Sequence, residues 1–182
     1  MRTETPRINP VHEDNWSDAK KEALNQQKIR GNVANIFRTL ANHEQLAKRW
    51  MVFANHILFK STLSDRDREI LILRMGWLCK SEYEWGQHVI IGKRAGLTDD
   101  EIACIKEGAS ADSWSVHESL LIKAADELHS DAFVSDETWQ GLTDTYSDQQ
   151  MMDLVFTCGQ YNLVSMALNS FGIQLDEDIS GF

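Results

Sequence analysis

An all-α fold is predicted by three features of the sequence. Both prolines, Pro6 and Pro10, fall in the first ten residues, which leaves the rest of the 182-residue chain open to long helices. Helix-start boxes, in which a Ser or Thr is followed three residues later by an acid or an amide, recur along the chain. Between the boxes, apolar residues recur every three or four positions, and no alternating strand pattern of useful length is present.

The boxes set the order of the predicted elements. They begin at Ser64, Ser81, Thr98, Ser115 and Ser147. We expect a polar N-terminal arm at residues 1–14 and a single helical domain at residues 15–182. The helices predicted in that domain cover residues 16–30, 43–60, 65–79, 82–95, 99–107, 116–129, 136–145 and 148–171.

Charge and cysteine content exclude several classes of function. The formal charge of −10 argues against nucleic acid as a partner, because such binding depends on clustered Lys and Arg. The three cysteines form no CxxC pair, and the polar N-terminus lacks the apolar core of a signal peptide. We therefore expect a reducing, cytoplasmic setting.

One uncharged stretch, residues 154–173, is long enough to span a bilayer. Its Asn, Gln, Ser and Gly residues make a poor surface for lipid, so we expect no membrane partner. A helix that is apolar on nearly all sides is typical of burial, and in a short chain this often means burial between subunits. The stretch therefore favours a homo-oligomer.

The segment "SEYEWGQH", residues 81–88, is the strongest candidate for a functional site. On a helix that begins at Ser81, Glu84 and His88 share one face. Glu69 lies on the preceding helix, which a short turn would fold back against this one. A carboxylate beside a histidine raises the pKa of the imidazole and fixes its tautomer, which is an arrangement suited to proton transfer.

Two other interpretations of this segment stay open from spacing alone. Glu84 could return to the Ser81 amide as the third residue of a capping box, with His88 as a packed interface residue. The same spacing could suit a metal, but no second histidine is in phase, so we predict no metal site.

The segment "LSDRDREILILRMGWLCKSEYEWGQHVIIGKRAGLTDDEI", residues 63–102, resembles the carboxymuconolactone decarboxylase family, whose other branch is the AhpD-like peroxidases. "YEWGQH" followed by "AGLTDDEI" resembles the decarboxylase-like branch, and residues 159–178 resemble the closing helix of the family. The resemblance implies an all-α AhpD-like bundle around a central helical hairpin, assembled as a trimer or hexamer. In the peroxidase branch two cysteines precede the histidine, and Ser81 and Glu84 stand at their positions here. Peroxidase activity is therefore disfavoured, because no thiolate pair is available.

The resemblance further implies a lyase of aromatic catabolism that needs no cofactor, since an unsaturated lactone substrate is its own electron sink. We expect a decarboxylase or proton-transfer enzyme acting on a small lactone or enolisable carboxylic acid, with His88 as proton donor, Glu69 orienting it and Glu84 as a second acid or base. The candidate substrate-binding residues are Tyr83, Trp85, Arg74, Tyr161 and Asn162. The alternative is a family member without catalytic activity that serves in binding or assembly.

Overall fold

The computed structural model describes residues 1–16, 28–29 and 32–182, and these are overwhelmingly helical. Two short strands, β1 (Lys28–Ile29) and β2 (Asn32–Val33), pair antiparallel. The helices are α1 (Asn35–Leu40), α2 (Glu44–Phe59), α3 (Asp65–Leu78), α4 (Glu82–Arg94), α5 (Asp99–Glu107), α6 (Val116–Asp131), α7 (Asp136–Thr143) and α8 (Asp148–Phe171). Short 3-10 turns occupy Glu13–Asn15 and Ala41–His43.

Most predicted helices lie within a few residues of the observed ones, which confirms the all-α prediction. The helix predicted at residues 16–30 falls largely outside the described residues, and its end is wrong, because Lys28–Ile29 is a strand. Gly31 in the sequence disfavours a helix that continues through this region. Helix α1 was not predicted, since it is one and a half turns long and carries no side-chain cap at Ala34.

Helix α3 is the centre of the molecule. Every residue from Arg68 to Gly76 is buried, including two arginines and a glutamate. The neighbours of α3 are α4, α5, α6 and α8, and its apolar residues form the main core with theirs. A polar side chain on α3 must therefore find its partner inside the protein.

Both ends of the chain pack against the helices near the start of α4. The backbone amides of Arg7 and Ile8 bond to the Phe171 carbonyl at 2.9 and 3.1 Å. The ring of Phe182 lies 4.9 Å from that of Trp77. Of the described helices, none is long and apolar enough to cross a membrane.

Candidate functional site

The site is built on the hairpin of α3 and α4. Lys80 adopts a left-handed backbone conformation (φ 51°), and the Ser81 amide bonds to the Gly76 carbonyl at 2.9 Å. This tight turn folds α4 back along α3. Glycines keep the two helices close, since a Cβ on Gly92 would lie 3.2 Å from the Leu73 side chain.

Three side chains meet in the interface of this hairpin. His88 Nδ1 lies 2.6 Å from Glu69 Oε2, and His88 Nε2 lies 3.0 Å from Glu84 Oε1. Glu69 is fully buried, while Glu84 and His88 are 4% and 5% exposed. The imidazole is therefore held between two carboxylates, one from each helix.

The side chain of Glu84 faces His88 and does not cap the start of α4. The Ser81 side chain makes no cap hydrogen bond, so the capping box predicted here is wrong. Glu84 turns instead toward His88, four residues further on. Boxes predicted from the same pattern do form at Thr98, Ser115 and Ser147, where the residues are at the surface.

A fourth group, which the sequence did not indicate, completes the cluster. Arg68 donates from Nε to Glu69 Oε1 at 3.1 Å and from a terminal nitrogen to Asp65 at 2.7 Å. Adjacent residues on a helix normally point apart, so only the length of the arginine side chain lets it return to its neighbour. With His88 protonated, Arg68, Glu69, His88 and Glu84 sum to zero charge.

His88 is charged at neutral pH. Burial opposes the charge on the imidazole, but the negative charges and hydrogen bonds of Glu69 and Glu84 outweigh it and raise the pKa of His88 to about 10. Protonation makes both ring nitrogens donors, which matches a carboxylate at each. The cluster is thus a buried proton reservoir in which Glu69 and Glu84 lie on opposite sides of the His88 ring.

Tyr161 forms one wall of the cluster. The edge of its ring meets the His88 ring at a centroid distance of 5.0 Å. Burial and the charges of Glu84 and Glu69 raise the pKa of Tyr161 well above its usual value, so the phenol stays neutral. Asn162, the next residue, accepts instead from the Cys79 thiol at 3.2 Å, near the start of α4.

Three predicted substrate-binding residues are not brought to the cluster. Tyr83 donates to Asp176 at 2.7 Å, in a second core that includes Val164. Trp85 packs on Trp77 in the main core.

The Arg74 side chain is engaged at the end of α5 and on α6. It donates to Asp126 at 2.6 Å and to the carbonyl of Ile105 at 2.6 Å. Adjacent residues on a helix point in different directions, which is why Arg74, Tyr83 and Trp85 leave the cluster although they lie close to it in sequence.

The thiols of Cys79 and Cys158 are not activated. Burial raises the pKa of the Cys79 thiol, against a lowering by the Ser165 hydroxyl. Burial alone raises the pKa of Cys158 to about 12. All three cysteines are free, and no group of three or more His, Cys, Asp or Glu among the described residues could hold a metal ion.

Comparison with known proteins agrees with this architecture. Residues 44–127 match the sequence model of the Carboxymuconolactone decarboxylase family. A peroxidase-related protein from Silicibacter sp. TM1040 superposes with a TM-score of 0.84 at 13% identity, over 97% of this chain and 96% of the other. One from Ralstonia eutropha JMP134, described as an alkylhydroperoxidase AhpD core, gives 0.83 at 16% identity over 94% and 93%.

A third solved structure is a variant of the debrominase Bmp8 in complex with 2,3,4-tribromopyrrole, with a TM-score of 0.79 at 13% identity over 96% of this chain and 94% of the other. Such low identities establish the fold alone. No curated protein matched the chain.

The fold and the hairpin define an AhpD-like helical protein. Its residues 44–127 match the carboxymuconolactone decarboxylase family, which confirms the resemblance seen in the sequence.

Proposed function

We propose that the protein is a cofactor-independent proton-transfer enzyme, of the decarboxylase or isomerase type, acting on a small lactone or enolisable carbonyl compound. The observation that carries this proposal is the buried chain of hydrogen bonds from Glu69 through His88 to Glu84. Both imidazole nitrogens are occupied by carboxylates, so a proton from His88 reaches a substrate through Glu84. This modifies the sequence-based expectation that His88 itself is the donor.

The proposed reaction moves one proton and one electron pair. In decarboxylation, the bond to the departing carboxylate breaks, CO₂ leaves and the electron pair moves onto the carbonyl oxygen of the substrate. His88 Nε2 then gives its proton to Glu84, and Glu84 gives a proton to carbon while the electron pair returns from oxygen. In isomerisation, Glu84 first takes the proton from carbon and later returns it to another carbon. Such acid–base groups typically contribute about 10²- to 10⁴-fold to a rate.

The charge balance of the cluster favours a substrate with little charge. Arg68 and the His88 imidazolium offset Glu69 and Glu84, and Arg74 is engaged by Asp126. Among the described residues a dicarboxylate would meet no free cation there, and it would face the Glu84 carboxylate. A neutral or singly charged lactone avoids this cost.

The proposal is tested with α-angelica lactone, a neutral lactone with acidic ring protons. Proton NMR in deuterium oxide follows both the loss of the ring C–H signal and the formation of the conjugated isomer. We expect catalysed exchange with the wild-type protein and a rate lower by about 10²-fold or more in Glu84→Gln. Val116→Glu, an equally drastic change at a distant exposed position, should keep the wild-type rate. Exchange no faster than in buffer, or full activity in Glu84→Gln, would refute the proposal.

Peroxidase chemistry is not proposed, because the Cys79 thiol has no cysteine partner and its pKa is raised. With hydroperoxide and a dithiol reductant, we expect no catalytic consumption of peroxide. Consumption that disappears in Cys79→Ser would contradict this expectation.

Assembly is a second candidate function, favoured by an apolar surface on α8 and α2. On α8, Met152, Phe156, Leu163 and Met166 are each more than half exposed and recur at helical spacing. On α2, Phe53 lies 5.9 Å from Phe156, ring to ring. Exposed apolar patches of this kind mark interaction surfaces, and we propose that copies of this chain cover it in a trimer or hexamer.

The mass of the particle in solution tests this assembly. Light scattering should give three or six chains for the wild type and fewer for Phe156→Glu. Val116→Glu is the matched control, because Val116 is 81% exposed and lies at the start of α6. A wild-type monomer at micromolar concentration would refute the assembly.

A further inference from the structure

Four buried polar side-chain atoms in the described part of the chain have no hydrogen-bond partner: Trp50 Nε1 and the hydroxyl oxygens of Ser81, Thr157 and Ser165. The three hydroxyl groups are fully buried. Burying a polar group without a hydrogen-bond partner costs free energy, so each such group calls for an explanation. All three lie on α8 or at the start of α4, the two helices that also supply Tyr161, Glu84 and His88.

Ser81 is exceptional among the residues that begin helices in the described chain. Five other helices begin after a Ser or Thr whose side chain accepts a hydrogen bond from a backbone amide: Ser64, Thr98, Ser115, Ser135 and Ser147. Ser81 makes no such bond, so its hydroxyl does not cap the first-turn amides of α4. The usual structural role of a serine at this position is therefore absent.

The Ser81 hydroxyl is on the same side of α4 as the proton-transfer groups. Glu84 and His88 follow Ser81 by three and seven positions, which returns to one face of the helix. The Cys79 thiol, two residues before Ser81, bonds to Asn162 on α8. The start of α4 therefore faces the part of α8 that carries Tyr161.

Hydroxyl groups line α8 where it faces this space. Thr157 and Ser165 lie one helical turn before and after Tyr161, so the three side chains share a face of α8. The Cys79 thiol is close enough to both Ser165 and Glu84 for its pKa to respond to each. Ser165 thus has the Cys79 thiol as a neighbour.

The proposed reaction needs a hydrogen-bond donor for the oxygen on which negative charge develops. The nitrogens of His88 are occupied by carboxylates, and the guanidinium of Arg74 is engaged elsewhere. The Ser81 hydroxyl is a donor with no present acceptor, at the positive end of the α4 dipole. These properties suit the Ser81 hydroxyl to this task.

We propose that Ser81 is a substrate-binding and specificity-determining residue: its hydroxyl donates a hydrogen bond to the carbonyl oxygen of the lactone or ketone while Glu84 moves the proton. This inference rests on the proposed proton-transfer function for its catalytic consequence, but it predicts binding independently of turnover. The ligand class is a small molecule that presents an enolate-like oxygen.

Tetronate, the anion of a lactone enol, is a suitable probe because it resembles the enolate and does not react. Isothermal titration should show binding to the full-length wild-type protein. Ser81→Ala should weaken that binding by about 10- to 100-fold, the usual range for a lost hydrogen bond to a charged group. Ser115→Ala removes a working helix cap far from the site and should leave binding unchanged.

Thermal unfolding separates a ligand role from a structural one. Ser115→Ala should lower the melting temperature by about 2 to 4 °C through the lost cap. Ser81→Ala removes an unpaired buried hydroxyl, so its melting temperature should equal or exceed that of the wild type. A fall in Ser81→Ala comparable with that in Ser115→Ala would show a structural role and overturn the inference.

The two proposals can fail separately. Tetronate binding that depends on Ser81, together with no exchange of α-angelica lactone, would retain this inference and refute the proton-transfer function. Exchange that depends on Glu84, together with equal tetronate binding by wild type and Ser81→Ala, would retain the proton-transfer function and overturn the inference about Ser81. A wild-type protein that does not bind tetronate would overturn the inference.

Discussion

Helix α3 supplies a carboxylate to each of two histidine–carboxylate clusters. The clusters differ in the group that lies at the second nitrogen of the histidine. In the first, His88 lies between Glu69 and Glu84 in the buried hairpin. In the second, one carboxylate oxygen of Asp67 accepts from the Tyr146 hydroxyl at 2.7 Å and lies 3.5 Å from His117 Nε2.

The partners of each histidine explain the difference. His117 meets the Thr145 hydroxyl at its other nitrogen, 3.2 Å away, so the second cluster ties the start of α3 to the segment between α7 and α8. His88 instead has a carboxylate at each nitrogen, and one of these, Glu84, ends the chain of hydrogen bonds. The same residue types therefore hold two segments together when one carboxylate accepts several hydrogen bonds. They form a proton-transfer chain when two carboxylates share one imidazole.

The largest expected difference between the clusters is in turnover. Glu69→Gln removes the charge behind His88 and should lower the rate of exchange of α-angelica lactone by about 10²-fold. Asp67→Asn, the matched change in the second cluster, should leave the rate near that of the wild type. Equal losses in the two variants, measured by NMR, would remove the distinction between them.

The next largest difference is in the stability of the protein at high pH. The folded pKa of His88 is raised from 6.5 to about 10, so its stabilising effect is complete below pH 6.5 and is lost as the pH rises toward 10. The loss is on the order of 4 kcal/mol in the free energy of unfolding. Urea titrations from pH 6 to pH 10 should show this decline in the wild type and a much flatter profile in His88→Gln.

The second cluster should act in the opposite direction, at low pH. Burial raises the pKa of Asp67, but its hydrogen bonds from His117, Tyr146 and Ser64 outweigh this, and the net pKa lies below its model-peptide value of 3.8. Its contribution is therefore present above pH 3.8 and is lost as the pH falls through the lower folded value. Asp67→Asn should reduce the acid sensitivity seen in urea titrations between pH 5 and pH 2, and an unchanged acid limb would contradict the assignment.

The smallest expected effect is that of the tyrosine in the second cluster. Tyr146→Phe removes one hydrogen bond to Asp67 and should cost about 1 to 2 kcal/mol of unfolding free energy. Turnover should not change, because the Tyr146 hydroxyl bonds to Asp67, which belongs to the second cluster. A large loss of turnover at unchanged stability would mean that the two clusters are coupled through α3.

The sequence predicted the elements of the first cluster better than its details. Helical phase was sufficient to bring Glu69, Glu84 and His88 together, because the hairpin of α3 and α4 is short and its ends are well marked. The role of Glu84 could not be decided, since a capping box and a pocket-facing carboxylate share one pattern, and only the burial of Ser81 separates them.

Other residues were missed or misplaced for different physical reasons. Arg68 was missed because its contact with Glu69 joins adjacent residues, a spacing that normally carries no contact. Tyr83 and Arg74 were assigned to the pocket by proximity in sequence, but each finds a carboxylate elsewhere, at Asp176 and Asp126. Such long-range partners lie on later segments, and their positions depend on the packing of the whole chain.

The charge state of His88 is the most direct test of this account. Nitrogen NMR of the wild-type protein, with His88→Gln used to assign the signal, reports whether both ring nitrogens carry protons. We expect an imidazolium for His88 that does not titrate between pH 6 and pH 8.5 and loses its proton near pH 10. A neutral ring at pH 8, with a titration midpoint near 6.5, would show that the two carboxylates do not hold the proton and would contradict the proposed relay.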